Sequence, residues 1–393
     1  MSYNLWTDCN RVPITELLSF IVDNRGKSAP TAPCGHKLIA TNCVTNNTLF
    51  PVYEKIRYIS DEIYNTWFRS HPLPGDILFV NKGTPGRVCM VPDPVDFCIA
   101  QDMIALRADD NKIYNKYLFA VLRSREIQQQ IYNTNVGDVI PHFKKQFLDQ
   151  LLIPVPERSM QEAIGDLYYT LSFKTELNKK INDNLQQQAQ ALYKHYFPYS
   201  VGDELPDGWR IGSVGEIIEI HDSKRIPLSG AERAKMEKKT YPYYGAAALM
   251  DYVDDYIFDG KYLLLGEDGT VVDEAGYPIL QYVWGQFWVN NHAHILTGKL
   301  GFNVESLYML FKQTPVKAIV TGAVQPKISQ TNLRSIQVVI PPPKLLTDYN
   351  SQIEPLFALL RTNEETNKSL TALRDTLLPK LMSGELDVSN IQL

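Results

Sequence analysis

Apolar residues are distributed along this chain in two kinds of segment, and each kind occurs twice. Residues 1–156 and 200–343 contain short apolar runs rich in Val, Ile, Tyr and Phe, separated by Gly and Pro, as expected for strands and turns. After each of these regions, Leu and Ile recur at intervals of three, four and seven residues, which is typical of a long helix. The pattern predicts a globular unit, a helix, a second globular unit and a second helix.

An internal repeat supports this order. Gly137–Phe143 aligns with Gly322–Ile328, because both segments have a Pro four residues after the Gly. Strand-like runs closed by prolines follow in both halves, at Leu151–Pro156 and Ile336–Pro343. A strand that leads into a glycine turn is also duplicated, as Gly75–Thr84 and Gly260–Thr270. Short helices are expected at Tyr114–Gln129 and Val304–Gln313, so each globular unit is predicted to be α+β.

The central helix is predicted from Ser159 to Phe197, a length of about 58 Å at 1.5 Å per residue. Ser159 and Glu162 have the spacing of a capping box, which marks a helix start. In the second helix, Gly384 is a candidate C-cap. Pro355 should either kink this helix or lie near its start, because proline lacks the N–H of a helix interior.

The apolar stripes of the two helices are narrow, as in helices that pair with each other. The predicted seam, interrupted by Asn363 and Asn367, consists of Ile164, Leu167, Leu171, Leu177, Ile181, Leu185, Leu192, Ile353, Leu356, Leu360, Leu370, Leu377 and Leu381. Packing of each helix on its own globular unit is the simpler alternative. The duplication favours pairing, because two copies of one unit can meet about a pseudo-twofold axis. The predicted fold is α+β, with two similar α/β domains separated by two long antiparallel, coiled-coil-like helices.

Composition fits a globular protein of more than one domain. The 393 residues exceed one ordinary core, and 44% hydrophobic with 21% charged residues is an ordinary composition. No apolar run approaches the ~18 residues of a membrane span, and no secretion signal follows Met1, so a cytoplasmic protein is expected. The five cysteines form no C-x-x-C pair. A net charge of −5 argues weakly against DNA binding, although one surface can be basic on an acidic protein.

Motifs for catalysis are missing from the sequence. Gly26–Ser28 lacks the first glycine of a phosphate loop, and H-E-x-x-H and G-x-S-x-G are absent. His292 and His294 alternate on a predicted strand without an obvious carboxylate partner, so no metal site is assigned. Glu267 and Asp268 favour a turn role, because adjacent strand residues point to opposite faces. The sequence therefore predicts a binding protein without catalytic residues.

Several local patterns resemble the specificity subunits of type I restriction-modification systems, and the resemblance covers essentially the whole chain. These patterns are Gly75–Leu78, Leu205–Trp209, Tyr241–Gly245, Asp251–Tyr256, Leu264–Gly269 and Leu377–Glu385, together with the Gly-x-x-x-Pro segments and the strands that end in proline. The first globular unit departs from the family in lacking a clear Leu-Pro-x-Gly-Trp opening, for which Trp6 is the candidate substitute. The boundary at its N-terminal side is less well defined for that reason.

The resemblance implies target-recognition domains at 1–156 and 200–343 and helical spacer regions at 157–199 and 344–393. Each recognition domain would bind one half of a bipartite target in double-stranded DNA. The helices would set the half-site spacing and bind two modification (methyltransferase) subunits. S-adenosylmethionine is expected on those subunits, and ATP with Mg²⁺ on a restriction subunit that translocates and cuts DNA, so that this chain holds no cofactor.

Specific DNA recognition needs Arg, Lys, Asn, Gln or Ser side chains that reach base edges, and further donors that bind phosphates. The candidates are Arg25, Lys27, Lys82, Arg87, His142, Lys144, Lys145, Lys224, Arg225, Lys238, Lys239, Tyr243, Tyr244, Gln325 and Lys327. For any one of them, a solvated surface position explains the residue equally well. Two rival functions also stay open: an enzyme with unrecognised motifs, and a coiled-coil adaptor whose globular units bind protein.

Overall fold

A computed structural model of the chain describes residues 4–24, 26–134, 141–322 and 324–386. The contacts divide the chain into unit 1, which comprises residues 1–180 and 363–393, and unit 2, which comprises residues 181–362. The division into recognition and spacer regions, which follows sequence order, stays a prediction. None of the helices in the described ranges combines the length and the apolarity that a membrane span needs.

Unit 1 consists of small sheets flanked by helices. Its strands are β1 (Arg11–Pro13), β2 (Leu18–Val22), β3 (His36–Ile39), β4 (Arg57–Ile59), β5 (Ile77–Val80), β6 (Val88–Met90), β7 (Phe97–Ile99), β8 (Met103–Ala108) and β9 (Leu152–Pro154). Its helices are α1 (Asp61–Thr66), α2 (Asn115–Leu122), α3 (Arg125–Thr134) and the first part of α4 (Arg158–Tyr196). An antiparallel sheet has the order β2-β8-β5-β6, β3 lies between β4 and a parallel β7, and β1 pairs with β9.

Unit 2 repeats this topology. Its strands are β10 (Arg210–Ser213), β11 (Ile218–Ile220), β12 (Tyr241–Tyr244), β13 (Leu249–Val253), β14 (Phe258–Asp259), β15 (Tyr262–Gly266), β16 (Leu280–Val283), β17 (Gln286–Val289), β18 (Ala293–Gly298) and β19 (Gln337–Ile340). Its helices, besides the end of α4, are α5 (Val214–Ile217), α6 (Gly230–Ala234), α7 (Val304–Phe311), α8 (Gln330–Ser335) and the first part of α9 (Pro343–Met382). The sheets β11-β18-β15-β16 and β13-β12-β17-β14 and the pair β10-β19 match those of unit 1, with β14 added. The predicted α+β class and the internal repeat are confirmed.

The short-helix predictions had different outcomes. The helix expected at Val304–Gln313 is α7, which ends two residues earlier. The prediction of a single helix at Tyr114–Gln129 is wrong, because the helical conformation is interrupted between α2 and α3. At the break, the Ser124 hydroxyl accepts a hydrogen bond from Ile127 N at 3.4 Å, so a local side-chain bond starts a new helix.

Two helix starts also differ from prediction. Helix α4 begins at Arg158, so Ser159 is not its cap, and Glu162 bonds to Arg158 at 2.9 Å instead of closing a capping box. Helix α9 begins at Pro343, where the fixed φ of proline suits the first turn, and it continues through Pro355. Pro355 therefore does not mark the start. The predicted C-cap is confirmed, because Gly384, two residues after the helix ends at Met382, has φ 74°.

The two long helices run antiparallel inside each unit. In unit 1, the Arg374 guanidinium lies 5.6 Å from the Tyr168 ring centre, and Asn178 donates to the Asn367 side chain at 2.8 Å. In unit 2, Asn182 Nδ2 donates to Leu360 O at 3.4 Å. Increasing residue numbers in α4 thus meet decreasing numbers in α9. The predicted antiparallel helix pair is present in each unit.

The seam residues are not equally buried. Ile164, Leu171, Leu185, Ile353, Leu360 and Leu381 are buried, and Leu167, Leu192, Leu356, Leu370 and Leu377 are half-buried. Leu177 and Ile181 are 46% and 36% exposed, whereas the polar residues Thr175, Asn182 and Asn367 are buried. Part of each buried stripe is therefore polar. The helices also pack on the globular parts, since Ile164 and Leu381 belong to a core of unit 1 and Ile353 to a core of unit 2.

Candidate nucleic-acid interface

At one end of the strands of the β2-β8-β5-β6 sheet, loops that are distant in sequence come together. Strands β2 and β5 end at this edge and β6 and β8 begin there, because neighbouring strands are antiparallel. Asn81 N donates to Asp102 O at 3.0 Å, and Gln101 Nε2 donates to Ser28 Oγ at 3.2 Å. The loop edge of unit 1 is defined as the described residues of 23–28, 81–87, 100–102 and 141–145.

Most candidates from the first globular unit lie on this loop edge. Lys27, Lys82, Arg87 and Lys144 are exposed. His142 is half-buried, and its backbone forms an isolated β-bridge with Lys82. The remaining two candidates are Lys145, which forms an ion pair with Asp23, and Arg25, which lies outside the described residues. The polar side chains of Ser28 and Gln101 share this edge and were missed, because nothing in the local sequence shows which strand ends meet.

The proline of the Gly-x-x-x-Pro repeat has the same structural role in both units, whereas residues 137–140 of the first copy lie outside the described residues. Two backbone hydrogen bonds hold the segment that contains the proline against a glycine turn. They are Gly83 N to Pro141 O (2.9 Å) and Phe143 N to Asn81 O (2.8 Å) in unit 1, and Gly269 N to Pro326 O (3.0 Å) and Ile328 N to Glu267 O (2.8 Å) in unit 2. Gly83 and Gly269 have φ of 84° and 83°, a conformation that favours glycine. The repeated residues thus attach one loop to another at the same sheet edge.

The corresponding loop edge of unit 2 lies on the β11-β18-β15-β16 sheet. It is defined as residues 221–225, 267–279, 290–292 and 324–330. Lys224, Gln325 and Lys327 are exposed there. Lys327 Nζ lies 3.2 Å from Glu267 Oε1, and their neighbour Val324 is fully exposed. Unit 2 therefore presents candidate contacts at the same place in its fold.

Arg225, another candidate on this edge, has a mainly structural environment. Its side chain is 13% exposed, and Nη1 lies 2.6 Å from Glu267 Oε2. Nη2 lies 3.4 Å from Asp222 Oδ2, and Nη1 also donates to Ala293 O at 2.8 Å. The guanidinium is consequently surrounded by acceptors of its own unit.

His294 lies beneath Arg225 and has no exposed surface. Its Nδ1 is 2.7 Å from Asp222 Oδ2, and its Nε2 is 2.8 Å from Ile328 O, so both ring nitrogens face acceptors. Burial by itself would raise the pKa of Asp222, but the bond to His294, the bond from Ile295 N and the nearby Arg225 together hold that pKa below its usual value. A buried ion network therefore fixes the loops of this edge.

The histidine pair has carboxylate neighbours that the sequence did not reveal. Ligand atoms of Asp222, Glu267 and His294 lie within 4.8 Å of one another, and His292 contacts Asp268. The Arg225 guanidinium already contacts Asp222 and Glu267, which is where a metal cation would have to bind. This donor set suits an internal ion network better than a metal centre.

The other four candidates lie outside the residues that define the loop edge of unit 2, although Tyr244 borders it, because Asn290 N donates to Tyr244 O at 3.0 Å. Tyr243 is 2% exposed, and its hydroxyl accepts from Leu228 N at 3.1 Å. Tyr244 packs edge-on against Phe287 in the core. Lys238 and Lys239 are exposed before the start of β12, at the opposite end of that strand from Tyr244. Tyr243 and Tyr244 therefore contribute to the packing of unit 2.

The fold is that of a protein with two similar units, each with the same loop edge. The family model described as "Type I restriction modification DNA specificity domain" matches residues 35–187 and 206–371. Because these stretches cover most of the chain, the protein belongs to the family of type I restriction-modification specificity subunits. The resemblance inferred from sequence motifs is confirmed.

Individual relatives agree with this assignment. The MjaIX specificity subunit of Methanocaldococcus jannaschii is 23% identical over 81% of this chain and 79% of its own length. A putative specificity subunit of Haemophilus influenzae is 32% identical over 37% of this chain and 36% of its own length. The crystal structure of the type I restriction-modification S subunit from M. genitalium is similar over 95% of this chain and 96% of that chain, with a TM-score of 0.62 and 18% identity. That structural likeness concerns the fold.

Proposed function

We propose that each unit recognises one half of a bipartite DNA target through its loop edge. The observation that carries this proposal is the duplicated arrangement in which a glycine turn, a segment that contains a proline (141–143 and 326–328) and exposed polar side chains share one sheet edge. Loops at a sheet end can enter a DNA groove, while the strands behind them keep the side chains in register. Contact of any single candidate residue with DNA stays a prediction.

The long helices are proposed to set the half-site spacing and to bind two modification subunits. S-adenosylmethionine would then belong to those subunits, and ATP with Mg²⁺ to a restriction subunit. The chain itself is proposed to be non-catalytic. Mixing the purified chain with DNA and labelled S-adenosylmethionine tests this last point, because methyl transfer without a partner subunit would contradict it.

Exchange of residues 1–156 for the same region of a relative is expected to change only one half of the methylated motif. The reason is that the loop edge of unit 1 lies wholly inside this region. Sequencing of methylated sites in cells that carry the exchanged gene measures the result. Exchange of 200–343 is the matched control and should change the other half. A change of both halves after either exchange would contradict modular recognition, and equal affinity of the complex for all duplexes would contradict DNA recognition altogether.

Insertion of one heptad into each long helix is expected to lengthen the spacer between the half-sites by about three base pairs. Seven residues add about 10 Å of helix, and base pairs are about 3.4 Å apart. The suitable positions are between Lys180 and Ile181 and between Thr362 and Asn363, which are the boundaries of the two units in the chain. Sequencing of methylated sites again gives the spacer length.

The single insertions are the controls for this double insertion. With seven extra residues in α4 alone, the Asn178–Asn367 and Asn182–Leu360 hydrogen bonds could not form at the same time, so a poorly folded protein is expected. If the double insertion folds and methylates DNA with the original spacer, the helices do not determine the spacing.

A further inference from the structure

The two loop edges differ in charge although their topology is the same. Among the described residues, the loop edge of unit 1 has five lysines and arginines and two carboxylates; they are Lys27, Lys82, Arg87, Lys144, Lys145, Asp23 and Asp102. The loop edge of unit 2 has three lysines and arginines and five carboxylates; they are Lys224, Arg225, Lys327, Asp222, Glu267, Asp268, Asp273 and Glu274. The chain as a whole has a net charge of −5, so the basic edge of unit 1 stands out from its surroundings.

Ion pairing increases this difference. On the loop edge of unit 1, only Lys145 has a carboxylate within 4.0 Å in the part of the chain that the structure describes. On the loop edge of unit 2, Arg225 contacts Asp222 and Glu267, and Lys327 contacts Glu267. Four exposed cations are thus available on unit 1, whereas Lys224 is the corresponding cation on unit 2 within the described ranges.

We infer that the two units bind DNA unequally, with unit 1 supplying most of the phosphate contacts. Lys27, Lys82, Arg87 and Lys144 bind the DNA backbone, and unit 2 recognises its half-site mainly through uncharged groups. This inference rests on the proposed function. A lysine or arginine side chain that contacts a phosphate releases a counterion condensed on the DNA. A side chain already paired with a carboxylate contributes less. The acidic loop edge of unit 2 also repels the phosphate backbone of DNA at long range, so unit 1 makes the first contact with DNA.

Salt dependence of binding distinguishes the two units. The experiment uses the chain in complex with its modification subunits and a labelled duplex that contains the methylated motif. Binding constants are measured between 50 and 200 mM KCl for the unaltered complex, for the unit 1 variant K82Q/R87Q/K144Q and for the unit 2 variant K224Q/K238Q/K327Q. In the unit 2 variant, Lys238 lies outside the loop edge and is replaced to equalise the total charge. Both variants remove three positive charges from exposed positions, so that folding is preserved and the total charge is equal.

The slope of log K against log[salt] is negative, and the unit 1 variant is expected to reduce its magnitude by about 3, because each phosphate contact contributes about 0.9. The unaltered complex therefore loses about 40-fold more affinity across this salt range than the unit 1 variant does. The unit 2 variant should change the slope by about 1 or less. Equal slope changes, or a larger change for the unit 2 variant, would overturn the inference.

A second measurement leaves the protein unaltered. Neutral methylphosphonates replace the phosphates of one half-site at a time, after the domain exchange has shown which half-site belongs to which unit. Affinity should fall more for the half-site of unit 1, and equal losses would oppose unequal binding. If the complex has no sequence preference at all, the proposed function is wrong. If the complex keeps its bipartite preference and both variants change the salt slope equally, only the unequal contribution of the units is wrong.

Discussion

Replacement of Asp222 by alanine is expected to lower the free energy of unfolding of unit 2 by about 3–5 kcal/mol, the usual cost of removing one partner from a buried ion pair. The Asp222 side chain is 4% exposed and lies 2.7 Å from His294 Nδ1. It also accepts from Gln330 Nε2 at 2.6 Å and from Ile295 N at 3.0 Å. Alanine would leave these donors and part of the Arg225 charge without an acceptor.

Hydrogen exchange of β11 and β18 peptides at increasing denaturant measures this loss for unit 2 separately. Asp207→Ala is the control, because Asp207 is an exposed carboxylate of the same unit and should change the stability by no more than about 0.5 kcal/mol. A loss below about 1 kcal/mol for Asp222→Ala would show that the network contributes little.

The same variant has a defined pH dependence. The pKa of Asp222 is lowered in the folded protein, so its stabilising contribution is complete above the unfolded pKa of about 3.9. The contribution is lost as the pH falls through the folded pKa. The difference in stability between the original protein and Asp222→Ala should therefore shrink below about pH 4.

Replacement of Gly165 by valine is expected to destabilise unit 1 by about 3 kcal/mol, at the upper end of the range for overpacking. A Cβ at Gly165 would lie 2.6 Å from Tyr117 N and 2.9 Å from Lys116 C, both backbone atoms of α2 that cannot rotate away. Asp166 accepts hydrogen bonds from Tyr114 at 2.8 Å and Lys116 at 2.6 Å, which fixes the same contact. Helix α4 would have to move away from α2.

Gly230→Ala is the matched control for this substitution. Gly230 is also helical, but a Cβ there would have no neighbour closer than 3.9 Å, so alanine should stabilise α6 slightly. Hydrogen exchange of α2 peptides measures the effect at Gly165. Equal stability of Gly165→Val and the original protein would show that α4 does not need this close approach.

Local patterns predicted the elements of this fold better than the contacts between them. The glycine turns at Gly83 and Gly269 were recognisable, because their positive φ depends on the residue itself. Asp222 and His294 are 72 residues apart, and their pairing depends on β11 lying beside β18, which no local pattern specifies. The sequence therefore does not point to Asp222, and it favours a DNA contact for Arg225, whose partners are internal.

The seam shows a similar limit. Leu177 and Ile181 have the spacing of a helix stripe, yet the buried positions nearby are Thr175 and Asn182. The spacing of apolar residues indicates that a helix has a buried face. Which of two adjacent faces is buried depends on where the neighbouring helix lies. Asn367 was recognised as an interruption of the seam, whereas its bond to Asn178 requires the three-dimensional register.

The way the chain is divided between the units determines the order in which their cores can be completed during translation. Residues 181–362 form unit 2 without interruption, whereas the core of unit 1 includes Leu5 from before this stretch and Leu381 and Met382 from after it. Leu5 N donates to Met382 O at 3.1 Å. At about 5–20 residues per second, the ribosome needs roughly 10–40 s to synthesise the intervening unit. Unit 1 is therefore synthesised first, but its apolar core stays incomplete until the end of α9 leaves the ribosome. Unit 2 can finish folding before unit 1 does.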